Sequence, residues 1–201
     1  LALIFGMAAM YLHHRFRSER RGTILMAGVV CFVLSMFSAE AGVGALAYIV
    51  AWELTMEEGS WLRRALAIVP YLLVLLGWLI VYKTLGYGVI WSDIYLDPGN
   101  QPLRFTLAAF ERWPLMVIAQ WLQVPIDVCN GLTEVGRWIL SGTAWALTIA
   151  LARWLWPLLK EDRAARFWAL GMCLSFIPLC AAFPMVRGAR GGAVGFLASR
   201  T

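Results

Sequence analysis

The chain has 201 residues, of which 61% are hydrophobic and 13% aromatic, with 11 Trp. Soluble domains hold roughly 45–50% apolar residues, so this composition excludes an ordinary water-soluble fold and indicates a membrane protein. The net charge of +5 does not point to nucleic acid, because Arg63, Arg64, Arg163 and Arg166 stand at the ends of apolar runs, where cytoplasmic anchors facing membrane lipids belong.

Leu1 to Leu12 is apolar and reads as a truncated span. It has neither an initial Met nor the basic leader of a signal peptide, so a longer protein is expected, with this piece lacking the N-terminal part. The run His13 to Arg21 follows, with Arg15, Arg17, Arg20 and Arg21, and the positive-inside rule places it in the cytoplasm. His13 and His14 are adjacent, so on a helix they diverge by about 100° and lack the i, i+4 spacing of a metal pair. Headgroup-level positions are expected for both.

From Thr23 to Leu54 the only charges are Glu40 and Glu53. One span needs roughly 20 residues, and the arginine clusters on both flanks imply entry and exit on the same side. The expectation is two short helices, Gly22 to Phe37 and Val43 to Leu54, hinged at Ser38 to Gly42 below the outer membrane surface. Irregular backbone at that depth must be covered by protein or line a wet cavity.

Ser60 is placed to cap a helix from Trp61 to Lys83, which Pro70 is expected to kink. The turn-rich stretch Gly86 to Pro102 reads as an external loop, with Tyr87, Trp91 and Tyr95 in the interfacial aromatic belt. In Leu103 to Val124 the apolar core Trp113 to Leu122 lies between Glu111-Arg112 and Gln123-Val124-Pro125; that length favours a re-entrant or interfacial element. Trp138 to Leu159 runs inward to the cytoplasmic signature Lys160 to Arg166, and Phe167 to Phe183 returns outward, with Pro178 as an expected kink. The fold class is therefore all-α: a polytopic transmembrane bundle in the cell's inner membrane with one truncated span, five further spans, a broken hairpin and a re-entrant or interfacial helix. Residues 1–185 form this domain, incomplete at its N-terminus, and residues 186–201 an irregular tail.

Soluble-enzyme signatures are missing: there is no HExxH, paired CxxC, phosphate-cradling loop or nucleophile elbow. Cys31, Cys129, Cys173 and Cys180 have no disulfide or metal spacing, so no metal is expected, and no cofactor is identified. The candidate substrate-binding residues are Glu40, Asp93, Asp97, Arg104 and Arg112. Glu40 is an intramembrane carboxylate, or equally an anion at a helix N-terminus. Asp93 and Asp97 are a general-base or metal-type pair, although Asp97 before Pro-Gly also reads as an Asx turn. Arg104 and Arg112 suit a lipid-linked phosphate, or interfacial snorkelling.

The order Leu1-Ala2-Leu3-Ile4-Phe5-Gly6-Met7, a basic turn, Leu34-Ser35-Met36-Phe37-Ser38-Ala39-Glu40 and a second arm ending Ala51-Trp52-Glu53-Leu54 resembles the membrane core of GT-C glycosyltransferases. The likeness is to the protein O-mannosyltransferase type and its bacterial relatives, over roughly Leu1 to Lys83. Tyr95 to Pro98 and Pro102-Leu103-Arg104-Phe105 are similar to segments in such bacterial membrane proteins. The resemblance implies sugar transfer from a polyprenyl-phosphate donor on the external face, with a carboxylate activating the acceptor hydroxyl. It also implies a catalytic acid in a first external loop upstream of Leu1. Ala39 stands where the family often has lysine, which removes a phosphate contact. Two other classes compete: a lipid or small-molecule transporter, for which a matching inverted repeat of the hinge is missing, and a non-catalytic scaffold in which Gly42, Gly44 and Ala45 serve close helix packing.

Overall fold

The computed structural model describes residues 1–86, 99, 101–122 and 132–182, apart from the side chains of Glu40, Leu122 and Ala182. Among them are seven α-helices, one 3₁₀ turn and no strand: α1 (Ala2–Glu19), α2 (Gly22–Ser38), the 3₁₀ turn (Glu40–Val43), α3 (Gly44–Thr55), α4 (Trp61–Thr84), α5 (Pro102–Leu122), α6 (Glu134–Glu161) and α7 (Arg163–Ala182). They form an all-α architecture of two compact units, one of Leu1–Leu85 with Leu151–Leu179 and one of Gly86–Ala150 with Cys180–Thr201. Among the described residues three helices are long and apolar enough to cross a membrane, Trp61–Thr84, Glu134–Glu161 and Arg163–Ala181, against the five further spans expected; the two arms of the hairpin are apolar but shorter.

In the first unit, α1 runs through most of the basic stretch that the sequence assigned to a turn. Two local bonds favour the extension. Arg15 pairs with Glu19 one turn on, which holds the guanidinium above its usual range, and Ser18 Oγ donates to the His14 carbonyl. The helix stops at Arg20, in the left-handed region at φ 53°, where its N–H closes on the Phe16 carbonyl at 2.7 Å. Only Arg20 and Arg21 separate α1 from α2, so the two pack as an antiparallel pair.

The expected break is present. α2 ends at Ser38, whose Oγ turns back to the Leu34 carbonyl at 2.7 Å. Ala39 is extended, and the Gly42 N–H closes the 3₁₀ turn on the Ala39 carbonyl at 2.8 Å. Gly42 is required by proximity: a Cβ there would lie 2.5 Å from the Ser35 carbonyl oxygen. By helical rise, α2 and the second arm, Glu40–Thr55, are each about 25 Å long, slightly less than the ~30 Å hydrocarbon core.

The packing between these helices is that of a membrane bundle, in which small residues permit close approach. Gly6 faces Ala45, Gly28 lies under the Tyr71 hydroxyl, and Ser35 Oγ donates across to the Ala2 carbonyl at 2.8 Å. Around them Ala9, Phe32, Met36, Leu46, Ile49 and Tyr71 make one buried cluster. α4 contributes Ala67 and Tyr71, one turn apart, while Leu62, Leu66, Leu73, Leu76 and Ile80 are exposed: a narrow stripe faces the bundle and an apolar surface suits lipid. Ser60 occupies the N-cap position of α4, but its side chain makes no capping bond. The Tyr48 ring lies over Gly171 of α7, and Phe167 packs edge-on to both Tyr48 and Trp52.

In the second unit, α5 is one continuous helix with Pro114 inside it, longer than the ten-residue apolar core suggested. A proline lacks the N–H that would bond the carbonyl four residues back, here that of Phe110. Trp145 Nε1 of α6 donates to that Phe110 carbonyl at 3.1 Å, and Ser141 Oγ donates to the adjacent Glu111 carbonyl at 3.2 Å. Neighbouring helices thus satisfy the backbone that Pro114 releases, as burial in an apolar medium requires.

Candidate functional site

The residues singled out from sequence are dispersed. Glu40 opens the 3₁₀ turn of the hairpin, and its side chain lies outside the described residues. Asp93 and Asp97 lie outside them as well, together with Tyr87, Trp91, Tyr95, Cys129 and the tail 186–201. Arg104 is exposed and reaches Gln101 Oε1 at 3.3 Å. Arg112 is 6% exposed and donates to the Cys180 carbonyl at 2.7 Å, a contact that places a cation on a late carbonyl of α7. The candidates seen in side-chain detail, Arg104 and Arg112, are eight residues apart on α5, one exposed and one buried.

A different group of polar side chains converges in the first unit, at the arginine-bearing end of α1 and the end of α3. His13 and Glu53 are each 0% exposed, and His13 Nε2 lies 2.8 Å from Glu53 Oε1. Arg17, one turn beyond His13, places Nε 3.1 Å from Glu53 Oε1 and a terminal nitrogen 3.0 Å from Glu57 Oε2. Its Nε has ion-pair proximity to Glu53 but is not aimed along a hydrogen bond. Trp52 Nε1 reaches the other oxygen of Glu57 at 3.4 Å. Tyr71 of α4 closes the inner side, its ring 5.4 Å from that of His13 in an edge-on arrangement, and Phe32 of α2 packs against Tyr71 in the same way.

The expectation that both histidines sit at headgroup level is therefore corrected for His13. The divergence of adjacent helical positions separates them: His13 turns into the bundle, while His14 stays exposed and meets the Trp52 ring edge-on, with the centroids 4.7 Å apart. Burial of His13 is sustained by the opposite charges that meet it. Removing a carboxylate from water costs several kcal/mol, and Glu53 is held by an imidazole and a guanidinium from one face of α1. A sequence signal for this existed: His13 and Arg17 are four apart on one face of α1, and Glu57 follows Glu53 by four just past the end of α3, with complementary chemistry.

Four fully buried polar atoms of this group have no hydrogen-bond partner among the described residues: His13 Nδ1, Arg17 Nε, Glu53 Oε2 and Tyr71 Oη. Buried polar groups are normally satisfied, which marks the cluster as a place where chemistry, and not packing alone, decided the residues. Among the described residues no group of three or more His, Cys, Asp or Glu side chains has the arrangement to hold a metal ion. No protein-family model matches the chain, and neither a curated protein nor a solved structure is significantly similar to it.

Proposed function

We propose that this chain is part of a multi-pass inner-membrane protein of bacterial type that transfers a sugar from a polyprenyl-phosphate donor on the external face. The observation that carries the reading is the hairpin broken at Ala39, with Glu40 at the start of the 3₁₀ turn and arms of nearly equal length. Arms of that length raise the turn close to the membrane face opposite the arginine clusters, where a lipid-linked donor would present its phosphate. Irregular backbone at that level needs protein cover or water, and both occur at the wall of a donor cavity. In this reading Glu40 takes part in substrate binding.

The test is turnover of the intact protein with a polyprenyl-phosphate sugar, comparing wild type with Glu40→Gln at equal expression. Loss of about tenfold or more, the scale of one hydrogen bond between a charged group and the substrate, supports the reading. Unchanged turnover reduces Glu40 to an anion placed on a helix dipole. Absence of any transfer by the wild type, with donors differing in sugar, removes the transferase and leaves the scaffold reading, which the close contacts at Gly6, Gly28 and Gly42 favour.

A further inference from the structure

The cluster between α1 and α3 has an uneven charge count. Glu53 and Glu57 supply two carboxylates, and Arg17 is the guanidinium shared between them, 3.1 Å from one and 3.0 Å from the other. Glu57 keeps 22% of its side chain exposed, whereas Glu53 keeps none. Sharing one guanidinium with Glu57 leaves the buried Glu53 carboxylate only partly compensated, the situation least tolerated in an interior. One proton on the His13–Glu53 pair supplies the missing positive charge. The geometry provides the place, because His13 Nε2 and Glu53 Oε1 are 2.8 Å apart, a distance at which a proton can reside on either atom.

We propose that the buried His13–Glu53 pair is a proton-binding site of the membrane domain, holding one exchangeable proton reached from the arginine-bearing side past Arg17 and Glu57. The proton comes from water and returns to water, so nothing else is consumed. With it bound, Arg17, Glu57 and the pair sum to zero charge; without it, the group carries one negative charge. Around the pair, α2 contributes Gly28 and Phe32, and α4 contributes Tyr71; Arg64, two turns from Tyr71 on the same face of α4, is half-buried with its Nε enclosed. His13 Nδ1 and Glu53 Oε2 are both buried and unpartnered among the described residues, so polar capacity of the pair itself is left unused. The site is independent of the sugar-transfer reading, which concerns the opposite end of the hairpin.

The experiment is performed on the full-length protein in lipid nanodiscs at neutral pH. Nitrogen NMR of labelled histidine, with a His13→Gln difference spectrum to isolate the signal, reads whether the His13 ring carries one proton or two. Infrared difference spectroscopy against Glu53→Gln reads whether that carboxyl is protonated. A doubly protonated His13 ring, or a protonated Glu53 carboxyl, supports the site, and Glu53→Gln should return a doubly protonated ring to the neutral form. A neutral His13 ring together with an ionised Glu53 in the wild type overturns it. Because both spectra of the wild type decide the matter, a variant that fails to fold does not protect the proposal.

Discussion

Charge balance around Glu53 makes an unequal prediction for its partners. Arg17→Met removes the guanidinium from both Glu53 and Glu57, which it meets at 3.1 and 3.0 Å, and leaves a fully buried carboxylate with His13 as its remaining contact. Breaking a buried pair from one side costs about 3–5 kcal/mol; since Glu57 is partly hydrated, about 3 kcal/mol is expected. Glu53→Gln removes the negative charge instead and leaves Arg17 and Glu57 as a one-to-one pair. The new amide oxygen still accepts a bond from His13, so the expected cost is about 1 kcal/mol, the scale of one weakened hydrogen bond. The difference of about 2 kcal/mol is roughly thirtyfold in the folded-to-unfolded ratio and is measurable by equilibrium unfolding in mixed detergent micelles. The double variant should be more stable than Arg17→Met alone, because deleting the stranded carboxylate relieves it. If Glu53→Gln costs as much as Arg17→Met, or the double variant is the sum of the singles, the charge accounting fails.

Two further perturbations test the packing. Gly42→Ala drives a Cβ to within 2.5 Å of the Ser35 backbone and should destabilise by about 1–3 kcal/mol, whereas Gly77→Ala, with nothing within 4 Å and a helical position, should stabilise by about 0.5–1 kcal/mol; thermal unfolding of the two should shift in opposite directions. Trp145→Phe strands the Phe110 carbonyl that Pro114 frees and should cost about 1–2 kcal/mol. In a Pro114→Ala background, where the helix can bond that carbonyl itself, the same substitution should cost measurably less.

The hairpin was legible in the sequence because its determinants are local. A long apolar stretch with matched arginine flanks and small residues around Glu40 specifies a turn without reference to any other segment, and α2 ends at Ser38, one residue past the expected Phe37. The helices from Trp61 and around Trp138 to Leu159 were legible for the same reason, as apolar lengths bounded by charge. The end of α1 was not. Its basic residues look solvated one by one, and only the arrival of Glu53 from 40 residues away gives His13 a reason to be buried. The continuation of α5 through Pro114 was likewise hidden, since the side chains that donate to the freed Phe110 carbonyl and the adjacent Glu111 carbonyl belong to α6. Local pattern reports where a helix can start and stop; long-range partners decide which of its polar faces turn inward.

The claim beneath the whole account is that the chain leaves and re-enters the same side of the membrane between α1 and α4, with the 3₁₀ turn on the far side. Single cysteines at three exposed positions, Arg20→Cys, Ala39→Cys and Gly59→Cys, in a background with the four native cysteines replaced by serine, test it directly with a membrane-impermeant thiol reagent on intact cells and on inverted vesicles. Arg20→Cys and Gly59→Cys should label only in inverted vesicles and Ala39→Cys only in intact cells. Labelling of Arg20→Cys and Gly59→Cys from opposite sides would contradict the hairpin.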